Sequence, residues 1–241
     1  ASNVNKSIIW KIAFLNDNCA VTSDSSNRVI VWDLRTGTTI SEFKNLESGA
    51  IALELSENKN SIFVSGTDSR VFEYHLQKDP QKGSNRLTWV PGSIYHSQSP
   101  FSINDFNLLD ENTLLAARSN GSLDVFQLNK NSINSSREFQ LPHRNFTGAN
   151  NFVEIKNNSE ILTSDGYTVN LFKIGKIVPA EDHENNQKNY QFIVVNNELD
   201  SITYKFSYRS DDPILAVDYH EKNLLIATQK FIKFYRFSKN K

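Results

Sequence analysis

Between Ile8 and Leu76 one order of apolar and polar positions is written twice. The first copy runs KIAFL (11–15), CAVTSDSS (19–26), RVIVWDLRTG (28–37) and TTISEF (38–43). The second runs AIALEL (50–55), IFVSGTDS (62–69) and RVFEYHL (70–76). Apolar side chains at alternate positions, bounded by Ser, Asp, Asn and Gly, predict short strands half buried on pleated sheets. The pattern continues as FSINDF (101–106), TLLAARSNGS (113–122), LDVFQL (123–128) and REFQL (137–141). A fourth copy is NFVEI (151–155), EILTSDG (160–166) and YTVNLFKI (167–174), and a fifth is ILAVDY (214–219), LLIATQ (224–229) and FIKFYRF (231–237). Nowhere does a 3.6-residue apolar spacing predict a helix.

The third strand of each copy closes on an aromatic: Trp32, Tyr74, Phe126, Phe172 and Tyr235, spaced by about 42, 52, 46 and 63 residues. A period of roughly 40 residues built only from strands is the signature of propeller blades. The predicted fold is therefore all-β, a WD-repeat β-propeller with about five recognisable blades, Trp32-Asp33 being the one intact Trp-Asp pair. The five aromatics are predicted to pack between neighbouring blades, where their large apolar area dominates the seam. A seven-bladed ring needs roughly 300 residues at this period. The fifth copy also stops on its third strand. The expectation is thus a part of a larger, tandem propeller protein, with residues 1–92 as two well-matched blades and 93–241 as three divergent ones.

Asp24, Asp68, Asn120 and Asp165 stand at one equivalent place in each of the first four copies; the fifth has Thr228-Gln229 there. A short polar side chain at that place bonds the backbone of its own turn and tolerates left-handed geometry, which predicts tight hairpins. Repetition favours this structural role over a carboxylate constellation. Polar inserts at 77–86, 129–136 and 176–188 account for the longer spacings. They are predicted as solvated loops on a face or rim, with a docking element as the alternative.

Composition narrows the function. Hydrophobic residues make up 38% of the 241 positions, and the chain holds 16 Phe, so core material is ample. The net charge of −1 provides no global attraction for nucleic acid. A single cysteine, Cys19, excludes an internal disulfide framework and points to a reducing compartment. No signal sequence or membrane span is visible. The five histidines (His75, His96, His143, His183, His220) lack metal-ligand spacing, and no nucleophile elbow or phosphate loop is present. His183 among three carboxylates at 181–184 reads as an acidic loop before it reads as a metal site. No cofactor or small-molecule substrate is expected, and the chain is expected not to be an enzyme. The tail QKFIKFYRFSKNK interleaves Lys230, Lys233 and Arg236 with aromatics, a pattern that suits RNA contact by phosphate pairing and stacking. Alternation on a half-buried strand produces the same pattern.

The run from Ser7 to Tyr74 resembles the cirhin family, WD-repeat subunits of the t-UTP (UtpA) subcomplex. The likeness rests on Trp10 in the opening strand, the turn Ser23 to Ser25, Trp32-Asp33, Gly37-Thr38, and the stretch Ser61 to Asp68. Trp89-Val90, Asp124-Val125 and Asn170 to Phe172 follow in the family's order, whereas Ala20 to Thr22 lack its Gly. The resemblance implies a nucleolar, non-enzymatic scaffold. It implies assembly with other t-UTP subunits and processome proteins on the 5′ external transcribed spacer of pre-rRNA. On this reading residues 1–92 end a first propeller and 93–241 begin a second. The alternative is a generic WD-repeat interaction module of a ubiquitin ligase, chromatin or coat complex. A propeller hydrolase is a third class, which predicts a metal or convergent carboxylates at the central channel.

Overall fold

Strand follows strand, because β-branched and aromatic residues alternate with polar ones and turn residues interrupt each run every few positions. The computed structural model describes residues 7–47, 49–78, 87–97, 99–128, 136–139, 152–156, 160–164, 166–173, 177–181, 188–192, 203–220 and 223–237. Among these residues every regular element is a strand, and no helix is long and apolar enough to cross a membrane.

The first sheet is the meander β1 (Ile9–Asn16), β2 (Cys19–Asp24), β3 (Val29–Asp33), β4 (Thr38–Phe43). The second repeats it with β5 (Ala52–Leu55), β6 (Ser61–Ser65), β7 (Val71–Lys78) and β8 (Leu87–Tyr95). The third has β9 (Ile103–Asp110), β10 (Thr113–Arg118), β11 (Leu123–Gln127) and β12 (Ser136–Phe139). The fourth is built from β13 (Phe152–Lys156), β14 (Glu160–Ser164) and β15 (Thr168–Lys173). Its outermost strand comes from farther along the chain. A separate antiparallel hairpin of β16 (Ile177–Glu181) and β17 (Lys188–Phe192) intervenes before β18 (Thr203–Arg209) pairs with β15. The fifth sheet has three strands, β19 (Ile214–His220), β20 (Asn223–Thr228) and β21 (Ile232–Arg236).

All pairings are antiparallel, and innermost strands neighbour one another in order: β1 by β5, β5 by β9, β9 by β13, β13 by β19. This is an all-β series of propeller blades. The hairpin β16–β17 corrects the expectation of a loop across 176–188. Pro179 and the run of acids there argue locally against a strand, yet Pro179 sits opposite Tyr190 in a ribbon that has two strands among the described residues, an edge position where its missing N–H is tolerated. Of the other two inserts, residues 79–86 and 129–135 lie outside the described residues.

Blade seams hold the core. Because side chains alternate across a strand, Ile62 and Val64 of β6 face the first sheet while Phe63 faces the third. One seam joins Leu15, Val21, Val31 and Phe43 to Leu53, Val64, Phe72 and Tyr74. The next joins Phe63, Val71 and Tyr95 to Ile103, Phe106, Leu114 and Phe126. Leu162, Val169 and Leu171 meet Val217, Tyr219 and Ile226 at the seam between the fourth and fifth sheets. Each such large side chain contributes about 1.5–3 kcal/mol on burial. The two ends of the series differ: Trp10, Ile12 and Phe14 on β1, and Leu215, Ile232 and Phe234 on the last sheet, stay exposed. The five sheets therefore do not close on one another into a ring.

Candidate interaction surface

The hairpins joining the second and third strand of each sheet carry the repeated polar positions. In the first, Asp24 Oδ1 accepts the N–H of Ser26 at 2.8 Å and of Arg28 at 3.1 Å, while Oδ2 pairs with the Arg28 guanidinium at 2.7 Å. Arg28 also donates to Ser7 Oγ at 2.7 Å. Burial works to raise the Asp24 pKa, but the hydrogen bonds from Arg28 and Ser26 outweigh it and hold the carboxyl below its ordinary 3.8. Asp68 uses its carboxylate differently. Its Oδ2 takes the Arg70 guanidinium at 2.6 Å, and its buried Oδ1 has no partner among the described residues. Arg70 reaches on to Glu47 at 2.9 Å in the connection between sheets.

Asn120 Oδ1 accepts the N–H of Ser122 at 3.1 Å and its hydroxyl at 2.7 Å. Asp165 lies outside the described residues. Left-handed backbone falls one or more residues beyond the repeated positions, on Asn27 (φ 62°), Ser69 (φ 64°), Gly121 (φ 86°) and Gly166 (φ 90°). Asp24, at the end of β2, and Asn120, inside its turn, brace these hairpins by accepting nearby N–H groups, and the left-handed residue follows.

An arginine paired with a carboxylate at three hairpins is the feature that sequence reading missed. In the third sheet Arg118 and Asp124 are both completely buried and paired, with Arg118 Nε donating to Asp124 Oδ2 at 3.0 Å. Arg118 also donates to the Phe101 carbonyl, and Ser97 Oγ donates to Asp124 Oδ2 at 2.7 Å. The fifth sheet has Lys230 on Asp212 at 2.6 Å. No fixed spacing announces the set: the arginine follows the Asp by four residues in the first hairpin and two in the second, but precedes it in the third. Buried and desolvated, the third pair is maintained by its extra hydrogen bonds.

The aromatics take the following places. Trp32 is half-buried, and its Nε1 donates to Thr22 Oγ1 at 2.9 Å. Tyr74 stacks on Phe43 with ring centroids 4.1 Å apart, and burial pushes its hydroxyl up to about 12. Phe126 is fully buried in the seam between the second and third sheets, with Arg118 over its ring at 5.9 Å. Tyr235 lies against Tyr208 at 5.8 Å. The Phe172 side chain lies outside the described residues.

On the inner strands, Lys11 of β1 reaches Asp105 of β9 at 2.8 Å, and Asn107 donates to Glu54 Oε2 at 3.3 Å. Burial first, and Asp105 nearby, raise the Glu54 carboxyl above its ordinary 4.5. In the tail, Lys233 donates to the Tyr208 hydroxyl at 2.7 Å and lies 4.5 Å from that ring's centroid. Lys230 pairs with Asp212 while staying largely exposed, and Arg236 is exposed on β21. Among the described residues no group of three or more His, Cys, Asp or Glu is arranged to hold a metal ion. His143 and His183 lie outside them. Rigid hairpins braced by ion pairs, on blades with buried seams, are suited chemically to presenting a fixed polar surface to a macromolecule.

No family model matches the chain. Several curated proteins do match, each over about a third of it. U3 small nucleolar RNA-associated protein 4 of Schizosaccharomyces pombe is 32% identical over 92 residues, 37% of this chain and 12% of the relative. The human homolog of that protein is 27% identical over 85 residues, 35% of this chain and 12% of the relative. The Saccharomyces cerevisiae protein is 24% identical over 87 residues, 36% of this chain and 11% of the relative. The matched segment thus spans about an eighth of these relatives' length, and the chain is similar over that segment to proteins carrying a U3 small nucleolar RNA-associated name in three organisms.

Proposed function

We propose that this chain is a non-enzymatic scaffold in ribosome biogenesis, acting in the nucleolus. In this reading its blades help assemble the small-subunit processome on the 5′ external transcribed spacer of pre-rRNA, beside other t-UTP subunits. The observation that carries the reading is the match to U3 small nucleolar RNA-associated protein 4 in human and two yeasts, falling on a chain built of propeller blades. The braced hairpins suit it, because a scaffold needs fixed polar groups rather than a catalytic constellation.

The division near residue 92 between two propellers belongs to the same proposal. It has a geometric cost: a cut there runs through β8 and separates Phe63 and Val71 from Tyr95, Ile103, Phe106 and Phe126. RNA contact through Lys230, Lys233 and Arg236 is proposed chiefly for Arg236, since both lysines already have partners within the chain. Crosslinking the natural full-length protein in cells and sequencing the attached RNA tests the function. The expected result is pre-rRNA from the 5′ spacer, with processome proteins in the same purification. Recovery of a ubiquitin ligase, chromatin or coat complex without pre-rRNA overturns it in favour of a different WD-repeat module.

A further inference from the structure

The innermost strands of the first three sheets bring two carboxylates and one ammonium together. Along β5, Ala52 and Glu54 alternate onto the face turned to the third sheet, where Ala52 packs with Ile103 and Phe106. Along β9, Asp105 and Asn107 share the face opposite to that of Phe106. From β1 the Lys11 ammonium reaches Asp105 Oδ1 at 2.8 Å, with the Asp105 side chain 5% exposed. Glu54 is half-buried; its Oε2 accepts from Asn107 Nδ2 at 3.3 Å and its Oε1 accepts the Leu55 N–H at 3.0 Å. Asp105 opposes ionisation of Glu54 and Lys11 favours it. Among the described residues, the other charges near this strand are already committed. On β6, Phe63 lies opposite Glu54, and no side chain of that strand titrates. Glu73 continues the same row, but its two oxygens accept the hydroxyls of Ser61 and Tyr95. Asp24, on β2, is paired with Arg28.

We infer that Glu54, Asp105 and Lys11 form a proton-operated latch across the first three sheets. With Glu54 protonated, the ammonium has one anionic partner and ties β1 to β9. Once Glu54 loses its proton, two carboxylates that repel each other compete for one ammonium, and the tie to Asp105 loosens. One cation neutralises one anion, so the second anion is left uncompensated in a half-buried place, where that costs most. Burial first, and then Asp105, keep Glu54 protonated to higher pH than an ordinary carboxyl at 4.5. The latch therefore opens in the window just above that value.

The inference goes beyond the proposed function and does not depend on it. Linkage makes its test reciprocal: if the Glu54 proton governs the bridge, the bridge partners must govern the proton. NMR of the 241-residue chain with isotope-labelled glutamate carboxyls follows the Glu54 titration, its signal assigned by Glu54→Gln. Lys11→Met is expected to raise the proton affinity of Glu54 several-fold, and Asp105→Asn to lower it several-fold. A Glu54 midpoint that neither substitution moves overturns the latch. A double-mutant cycle between the same two substitutions, read by urea unfolding on either side of the window, gives the second measurement. Their coupling is expected to fall by about half as pH rises, and to hold steady in a Glu54→Gln background. Coupling that is equal at both pH values, or that falls equally without Glu54, also overturns it. If Lys11→Met does not fold, Asp105→Asn keeps the ammonium in place and its effect on the Glu54 midpoint decides alone.

Discussion

The second sheet and the first follow the same strand grammar, and their second strands β2 and β6 are equally buried, yet their innermost strands β1 and β5 differ. In β5 Ala52 and Leu53 are buried and Glu54 and Leu55 half-buried, because a blade lies on either side. In β1 only Leu15 is buried, since only the face toward the second sheet has a neighbour. Identical patterns therefore yield different burial, and the difference belongs to the neighbour, not to the strand. A blade is not a stability unit by itself. Each one contributes half of two seams.

Substitutions of matched positions put that comparison at risk. Tyr74→Ala removes a ring stacked on Phe43 and is expected to cost about 3–5 kcal/mol in urea unfolding of the 241-residue chain. Phe14→Ala, at an exposed position of β1, should cost less than about 1 kcal/mol. Equal losses would mean that this position is covered after all. The hairpins offer a second contrast. Arg118→Leu strands the Asp124 charge in a fully buried site, an expected loss of about 3–5 kcal/mol. Arg28→Leu, at a partly exposed pair, should lose about 1 kcal/mol or less. A Cβ at Gly92 on β8 would meet His75 Nδ1 at 2.6 Å and the Glu73 carbonyl at 3.3 Å. Gly92→Ala is thus expected to lower the unfolding midpoint by about 1–3 kcal/mol equivalent.

The smallest effect concerns pH. The Glu54 carboxyl is raised in the folded chain above its ordinary 4.5, so the folded state holds this proton where the unfolded state has released it. Stability from this group is full below that value and is lost as pH rises through the window just above it. Urea midpoints measured across the window should fall for the natural chain and fall less for Glu54→Gln. Identical slopes would show that Glu54 is not the group responsible.

Much of the fold was legible because it is local. β2 with β3, and β6 with β7, are hairpins whose apolar alternation and turn residues sit side by side in the chain. What escaped is what depends on distance. The alternation in TYKFSYR (203–209) is plain, but its partner β15 ends at Lys173, and no sequence signal ties them across the intervening hairpin. Asp24 and Asp68 are legible as turn residues, whereas Asp124 and the three arginine partners are not, because ion pairs obey geometry rather than spacing. The stacking of Tyr74 on Phe43 joins two blades, so neither residue alone announces it.

One contact skips a blade. The bridge from Lys11 to Asp105 runs from the first sheet to the third, past the second. Its strength is modest with Lys11 about a third exposed. Its geometry says more. Each sheet is turned from the last by some angle, and a bridge between first and third constrains the sum of two such turns, as a chord constrains an arc. Errors in the two angles must then cancel, and the second sheet is free to rock only in ways that leave the span between its neighbours unchanged.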